Sequence, residues 1–331
     1  MRKQKIVRTF FFAQSFAVAW RACVLLGLVA GGASAEKLPR PGPIVPPTAE
    51  WEARVEEAAP GGPTVQPDSS APKKVLVFSL FTGFDHKVIP HVDRVLEILG
   101  KKSGVFDVTV TRDIEMLAPE NLSPFDVLVL NNNCSKGDRR NLFLDELERN
   151  SDYRALDEVA RQTKAESLEE SLLDFVRSGK GLVAIHGAPT MLNNSPGFTE
   201  MIGAAFDYHP PSQYVTVRVV EPDHPLTTAF KGKEAFIHVD EPYCFRGPYT
   251  KKDFRPLLLM ETDSMNDPRG KAADDIRYVS WIKPYGKGRV FYLSPSHYPE
   301  SYESPALLRF LLDGLQYAAG DIECDDSTPS R

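Results

Sequence analysis

The chain has 331 residues, with 39 Lys and Arg against 45 Asp and Glu and a net charge of −6. Its bases are scattered among acids and form no basic stripe, which argues against nucleic acid as a partner. Its four cysteines, Cys23, Cys134, Cys244 and Cys324, have no C-x-x-C spacing, so neither a zinc ribbon nor a redox pair is encoded. Whether Cys134 and Cys244 pair is left open by the sequence.

From the start, Arg2, Lys3, Lys5 and Arg8 precede an apolar run from Ala22 to Ala30 and the small residues Ala33-Ser34-Ala35. That is the order of a secretory signal peptide, here residues 1–35, which implies a secreted or periplasmic protein. No other stretch is long and apolar enough to span a bilayer, so no stable membrane span is expected after cleavage. Residues 36–72, with PRPGPIVPPTAE and PGGPTVQPDSSAP, read as a disordered Pro-rich linker.

At Lys73 the character changes to KKVLVFSLF, a continuous apolar run of the kind that forms strands buried on both faces. Ile89, Val92, Leu96 and Leu99 follow at helical spacing, then the strand-like VFDVTVT and FDVLVLNNN. The charged segment from Ser135 to Gln162 reads as a solvated, partly helical stretch. Thr163 and Glu166 form a capping-box pattern that predicts a helix start, with Gly179 beyond its end. GLVAIH follows, then QYVTVRVV, EAFIHVD, FRPLLLM, IRYVSWI and GRVFYLS as further strands, and an amphipathic helix over about 304–319. The β-α-β-α order with a late β-rich section predicts an α/β domain over 73–320, a doubly wound, mostly parallel sheet with added antiparallel strands. Residues 321–331 read as a frayed polar tail.

In open α/β sheets ligands bind beyond the carboxyl ends of the strands. The residues at those places are Phe84-Asp85-His86, Asn131-Asn132-Asn133, His186-Gly187-Ala188, Asp240-Glu241 with Tyr243, and Ser296-His297. Three of the seven histidines thus follow strands, and His209 lies in a turn that could add a fourth; His91 and His224 receive no role. Neutral imidazole offers a donor and an acceptor and binds transition metals, so His86, His186 and His297 are candidate ligands for a divalent metal. No H-E-x-x-H spacing supports one locally, and a metal-free site stays open. His186 and Asp240 are the candidates for proton transfer; His86, His209, Glu241, Tyr243 and His297 are the candidates for substrate binding. Asp240 and Glu241 cannot flank one bond as a glycosidase pair while the strand continues through them, because neighbours on a strand point to opposite faces; His238 and Asp240 share one. LVAIHGA has the outline of a nucleophile elbow with histidine where Ser or Cys would stand, which disfavours acyl transfer. No G-x-G-x-x-G follows the first strand, which argues against a dinucleotide site. Aromatic residues near these positions, among them Phe84, Tyr243 and Tyr298, would suit a sugar ring.

VLVFSLFTGFDHKV, GKGLVAIHGAP, FTEMIGAAFDYHP, DHPLT, HVDEPYCF and WIKPYGKGRVFYLSPSHY, in this order, resemble the ThuA-like (trehalose-utilisation) family over about 73–320. The resemblance implies a class I glutamine-amidotransferase-like, flavodoxin-like fold that lacks the cysteine nucleophile, and a role with disaccharides or 3-keto sugars. The family's signature positions carry over as His86, His186, Gly187, His209, Asp240, Glu241, Tyr243 and His297. Ser296 stands where a glycine is usual, which implies a reshaped loop. The expectation is a carbohydrate-binding or carbohydrate-processing protein; a non-catalytic glycan-binding module and a metal-dependent hydrolase are the alternatives.

Overall fold

The computed structural model describes residues 46–69, 71–263, 265–269 and 277–329. The expected signal peptide lies outside them. The helices are α1 (Ala49–Ala58), α2 (Ile89–Ser103), α3 (Pro119–Leu122), α4 (Leu142–Arg149), α5 (Glu158–Arg177), α6 (Pro196–Ile202) and α7 (Pro305–Ala318). The strands are β1 (Lys73–Phe78), β2 (Phe106–Thr111), β3 (Val127–Asn131), β4 (Gly181–Ile185), β5 (Ala205–Tyr208), β6 (Gln213–Val219), β7 (Ala235–Asp240), β8 (Cys244–Arg246), β9 (Arg255–Met260), β10 (Arg277–Tyr285) and β11 (Gly288–Leu293). No helix among the described residues is long and apolar enough to cross a membrane.

Nine strands form one sheet in the order β2-β1-β3-β4-β11-β10-β9-β6-β7. The first five pair in parallel, and their 2-1-3-4-5 order is that of flavodoxin-like folds. The last four extend the sheet with antiparallel pairings, as expected from the late β-rich sequence. Strand alternation explains how the parallel half is covered on both faces. Val75, Val77, Val127, Val129, Val183, Ile185, Phe291 and Leu293 face one core with residues of α1, α2 and α7. Leu76, Phe78, Leu128, Leu130, Leu182, Ala184, Val290 and Tyr292 face the other with residues of α4, α5 and α6.

Four expectations need correction. The stretch expected as a disordered linker, 36–72, is folded over 46–69: α1 buries Trp51 and Val55, four residues apart on one face, with Ala59 just beyond. Further on, the Thr64 hydroxyl donates to Asp313 at 2.6 Å and the Thr64 amide to Gln316 at 2.8 Å. Pro and Gly around this short helix disguised it as a tether. The polar tail is likewise tied down, with Ile322 buried, Arg255 2.7 Å from Asp325 and the Tyr317 hydroxyl donating to Asp326 at 2.8 Å. Within 135–162, α4 is no solvated helix, because Leu142, Phe143 and Leu147 sit in the core. Finally, α5 begins earlier than the capping-box pattern predicts: Asp157 accepts from the Ala160 amide, and Thr163 lies inside the helix with its hydroxyl on the Val159 carbonyl.

Asp313 gives this N-terminal attachment a pH signature. Burial raises its carboxyl from 3.8 to about 6, although Thr64 and Arg309 work against the shift. The folded chain therefore keeps this proton up to about pH 6 while the unfolded chain releases it near 3.8, so this group's contribution to stability falls as pH rises across that window. Asp313→Asn should flatten that dependence and stabilise the protein above pH 6 by about 1–3 kcal/mol, measured by urea unfolding at pH 5 and pH 8. Equal loss of stability at both pH values would contradict it.

Candidate functional site

The site forms where four strand ends meet, and its assembly depends on curvature of the sheet. In the sheet order β7 lies four strands from β11, which in a flat sheet would be about 19 Å. Yet Asp240, the last residue of β7, accepts from the Ser296 amide just beyond β11 at 2.9 Å through one carboxylate oxygen. Its other oxygen accepts from the Glu241 amide at 2.8 Å. The antiparallel half therefore curls back over the strand ends, and Asp240 fastens it there. Both oxygens of Asp240 are engaged by backbone, with Oδ1 also 3.9 Å from His186 Nδ1, while Glu241 reaches in among His86, His186 and His297. His238 shares Asp240's side, as strand alternation predicts, with its Nε2 3.5 Å from Asp240.

His186 sits at the sharp turn after β4 with φ of 45°, a left-handed conformation that is uncommon for residues other than glycine. The strain is held by its surroundings: its amide donates to Leu293 at 2.8 Å and its carbonyl accepts from the Tyr292 hydroxyl at 3.1 Å. Glycine at the next position leaves room for its neighbours, because a Cβ on Gly187 would lie 2.9 Å from Cys134 Sγ and 3.0 Å from the His86 ring and would push them aside. His86 and His297 arrive from the loops after β1 and β11. The three rings form a near-equilateral triangle, with centroids 5.1, 5.1 and 5.0 Å apart.

Glu241 completes the cluster. Its Oε2 is 3.1 Å from His297 Nδ1, 3.5 Å from His186 Nε2 and 3.8 Å from His86 Nε2, while His186 Nε2 and His297 Nδ1 are 3.0 Å apart. All four residues are buried, and their facing donor atoms lie within 4.8 Å of one another. Glu241 Oε2 is buried without a hydrogen-bond partner despite this crowding. A carboxylate oxygen buried among imidazole nitrogens without a well-formed hydrogen bond is costly to leave so, and a cation at the centre would serve it and the ring lone pairs together. Tetrahedral ligands about 2.0–2.1 Å from an ion stand about 3.3 Å apart, a separation the four short distances bracket. The donor set thus fits a divalent transition ion.

The surrounding groups prepare the donors. The Ser294 carbonyl, 3.0 Å from His186 Nδ1, holds the ring proton there and leaves the Nε2 lone pair facing the cluster, the usual support of a ligating histidine. Burial lowers His86 to about 3, so its imidazole is neutral at neutral pH. Burial also acts to raise Glu241, but the three imidazoles outweigh it and hold the carboxyl well below its ordinary range. Cys134 Sγ lies 3.6 Å from His86 Nδ1, and burial pushes its thiol up to about 11. It is a neutral neighbour and lacks the thiolate of an acyl-transfer nucleophile.

Of the residues singled out in the sequence, the structure brings His86, His186, His297, Glu241 and Tyr243 together. The Tyr243 ring packs on His186 with centroids 4.3 Å apart, its hydroxyl is 3.4 Å from His86 Nε2, and burial holds its pKa well above the ordinary value. His209 stands at the rim, half-exposed, stacked on Tyr243 and 3.9 Å from Glu241. Phe84, 54% exposed, meets the His86 ring edge-on. The asparagines after β3 have structural roles: Asn131 donates to the Ile89 carbonyl and Asp93, and Asn133 to the carbonyls of Phe78 and Leu80. Cys134 was missed because a lone cysteine has no spacing partner; its only signal was its position three residues beyond β3. Cys134, Cys244 and Cys324 form no disulfide with one another.

The trehalose-utilisation model, ThuA, matches residues 74–318. The chain belongs to the ThuA family. Among solved structures, a ThuA-like protein from Bacteroides uniformis is 19% identical with a TM-score of 0.54, covering 76% of this chain and 94% of that one. A ThuA-like protein from Parabacteroides merdae is 17% identical with a TM-score of 0.53, covering 79% and 93%. At these identities the likeness concerns the fold. No curated protein matches the chain.

The two-sided grip of Asp240 can be measured directly. Asp240→Asn would set an amide NH₂ against one of two backbone N–H groups that now meet carboxylate oxygens. It should destabilise the protein by about 1–3 kcal/mol in urea unfolding. An unchanged midpoint would show that the fastening is unimportant.

Proposed function

We propose that this ThuA-family protein binds and processes a carbohydrate at a divalent-ion site formed by His86, His186, His297 and Glu241. The observation that carries the ion is the buried Glu241 Oε2, faced by three imidazole nitrogens and paired with none by a hydrogen bond. The carbohydrate part follows from membership in a family described by trehalose utilisation. Export through the segment 1–35 is part of the same reading and rests on the sequence pattern alone.

A bound ion of this kind polarises a carbonyl or hydroxyl oxygen, or acidifies water. The chain's own residues supply the rest. The Tyr243 hydroxyl, kept protonated by burial, can donate to a substrate oxygen beside His86. His209 and Phe84 at the rim offer a polar tip and an apolar face to an incoming ring. Asp240, with both oxygens on backbone amides, holds Glu241 and the His297 loop in place, which makes it a positioning residue. His186 supplies a lone pair at the spot where related elbows place a nucleophile, so no acyl-enzyme step is available.

Elemental analysis of the full chain, purified without chelators or a histidine tag, tests the ion. Near-stoichiometric zinc, manganese, nickel or another divalent transition metal is expected, absent from a His186→Ala, His297→Ala variant and reduced at least about tenfold in affinity by Glu241→Gln. No binding of any such metal, even after reconstitution, would overturn the ion site. Turnover of disaccharides or their 3-keto forms that stops on chelation and returns with metal would support processing; metal-independent binding without turnover would leave a glycan-binding module.

A further inference from the structure

A second opening lies beside the cluster. A cavity of about 290 Å³ is lined by Tyr214, Ile237, His238, Tyr298, Glu300 and Ser301. Ile237 is 74% exposed on the edge strand β7, and Tyr214 on β6 is 51% exposed. These two, with the Tyr298 ring, give apolar surface. His238, Glu300 and Ser301 give a polar wall, with Ser301 Oγ 3.2 Å from His238 Nε2. Tyr298 is 7% exposed, and its hydroxyl is buried.

We propose that this cavity is a carbohydrate subsite that takes one neutral pyranose ring. A sugar ring has an apolar C–H face and a rim of hydroxyls, and this lining presents a surface for each. A phosphorylated sugar is disfavoured, since Glu300 borders the cavity and no Lys or Arg among its described lining residues would meet the charge. The cavity also shares supports with the cluster. The Tyr298 ring stands edge-on to His297 with centroids 4.6 Å apart, and His238 contacts Asp240 at 3.5 Å.

The polar wall is held from the N-terminal side. Glu300 and Ser301 belong to the single turn Pro299–Glu303. Helix α1 grips it at both ends: Trp51 Nε1 donates to the Pro299 carbonyl at 3.3 Å, and Arg54 pairs with Glu303 through two bonds of 2.8 and 3.0 Å. Thus a helix outside the family-matched segment shapes this subsite, while the cluster's ligands all come from within that segment.

The subsite rests on the carbohydrate reading above, and its test separates the two. Glucose and trehalose, with glucose 6-phosphate as a charged control, would be titrated into the full chain by calorimetry and ligand-observed NMR. The Tyr214→Ala, Glu300→Gln double variant and the His186→Ala, His297→Ala variant would be run in parallel. Tyr214 and Glu300 are exposed, so the first variant should fold normally and keep its metal content. The expected result is that the double variant weakens binding of the neutral sugars at least about tenfold and that glucose 6-phosphate binds more weakly than glucose. Sugar binding unchanged in the double variant but lost in the histidine variant would overturn the subsite and keep the carbohydrate reading. Tighter binding of the phosphorylated sugar would overturn its neutral character. No binding of any of these sugars to the wild type would overturn both.

Discussion

The carboxylate of Asp240 ties the far edge of the sheet to its centre, and the candidate site depends on that tie. A flat sheet would hold β7 several strand widths from β11; the bond from the Ser296 amide marks where the curled half meets the centre and brings Glu241 beside His186 and His297. Two backbone amides on one buried carboxylate make a strong local anchor, because hydrogen bonds to a charged acceptor are shorter and stronger than neutral ones. Curvature of the antiparallel half is thereby converted into proximity of side chains that are distant along both the chain and the sheet.

The adjacent acids divide labour through the alternation of the strand. Asp240 is the last residue in the pleat and faces His238; Glu241 follows on the other side and faces the three imidazoles. The sequence sets the two on opposite sides only while the strand continues through them, and it does not show how each meets the histidines, because β7 ends at Asp240 and the rest depends on how the sheet curls. The strands of the parallel half were legible because buried parallel strands need continuous apolar runs. The convergence of His86, His186 and His297 was legible for a related reason: each stands just past such a run.

What escaped the sequence was structure whose signal is weak at short range. Helix α1 is only ten residues long and is flanked by Pro and Gly, so its two buried residues carried little weight. The ribbon formed by β5 and β8 is equally short, yet it brings His209 and Tyr243 near one another. The position of Cys134 against His86 depends on loop packing around Gly187, which no periodicity encodes.

The attachment of α1 bears on where this protein begins as a physical object. The segment shared with the family starts at residue 74, whereas the folding unit already includes Trp51 and Thr64. A version trimmed to the shared segment would expose the apolar patch that Trp51 and Val55 cover and would free the turn that borders the candidate site. Shared ancestry and mechanical completeness therefore draw different borders in this chain, and the difference is about one helix wide.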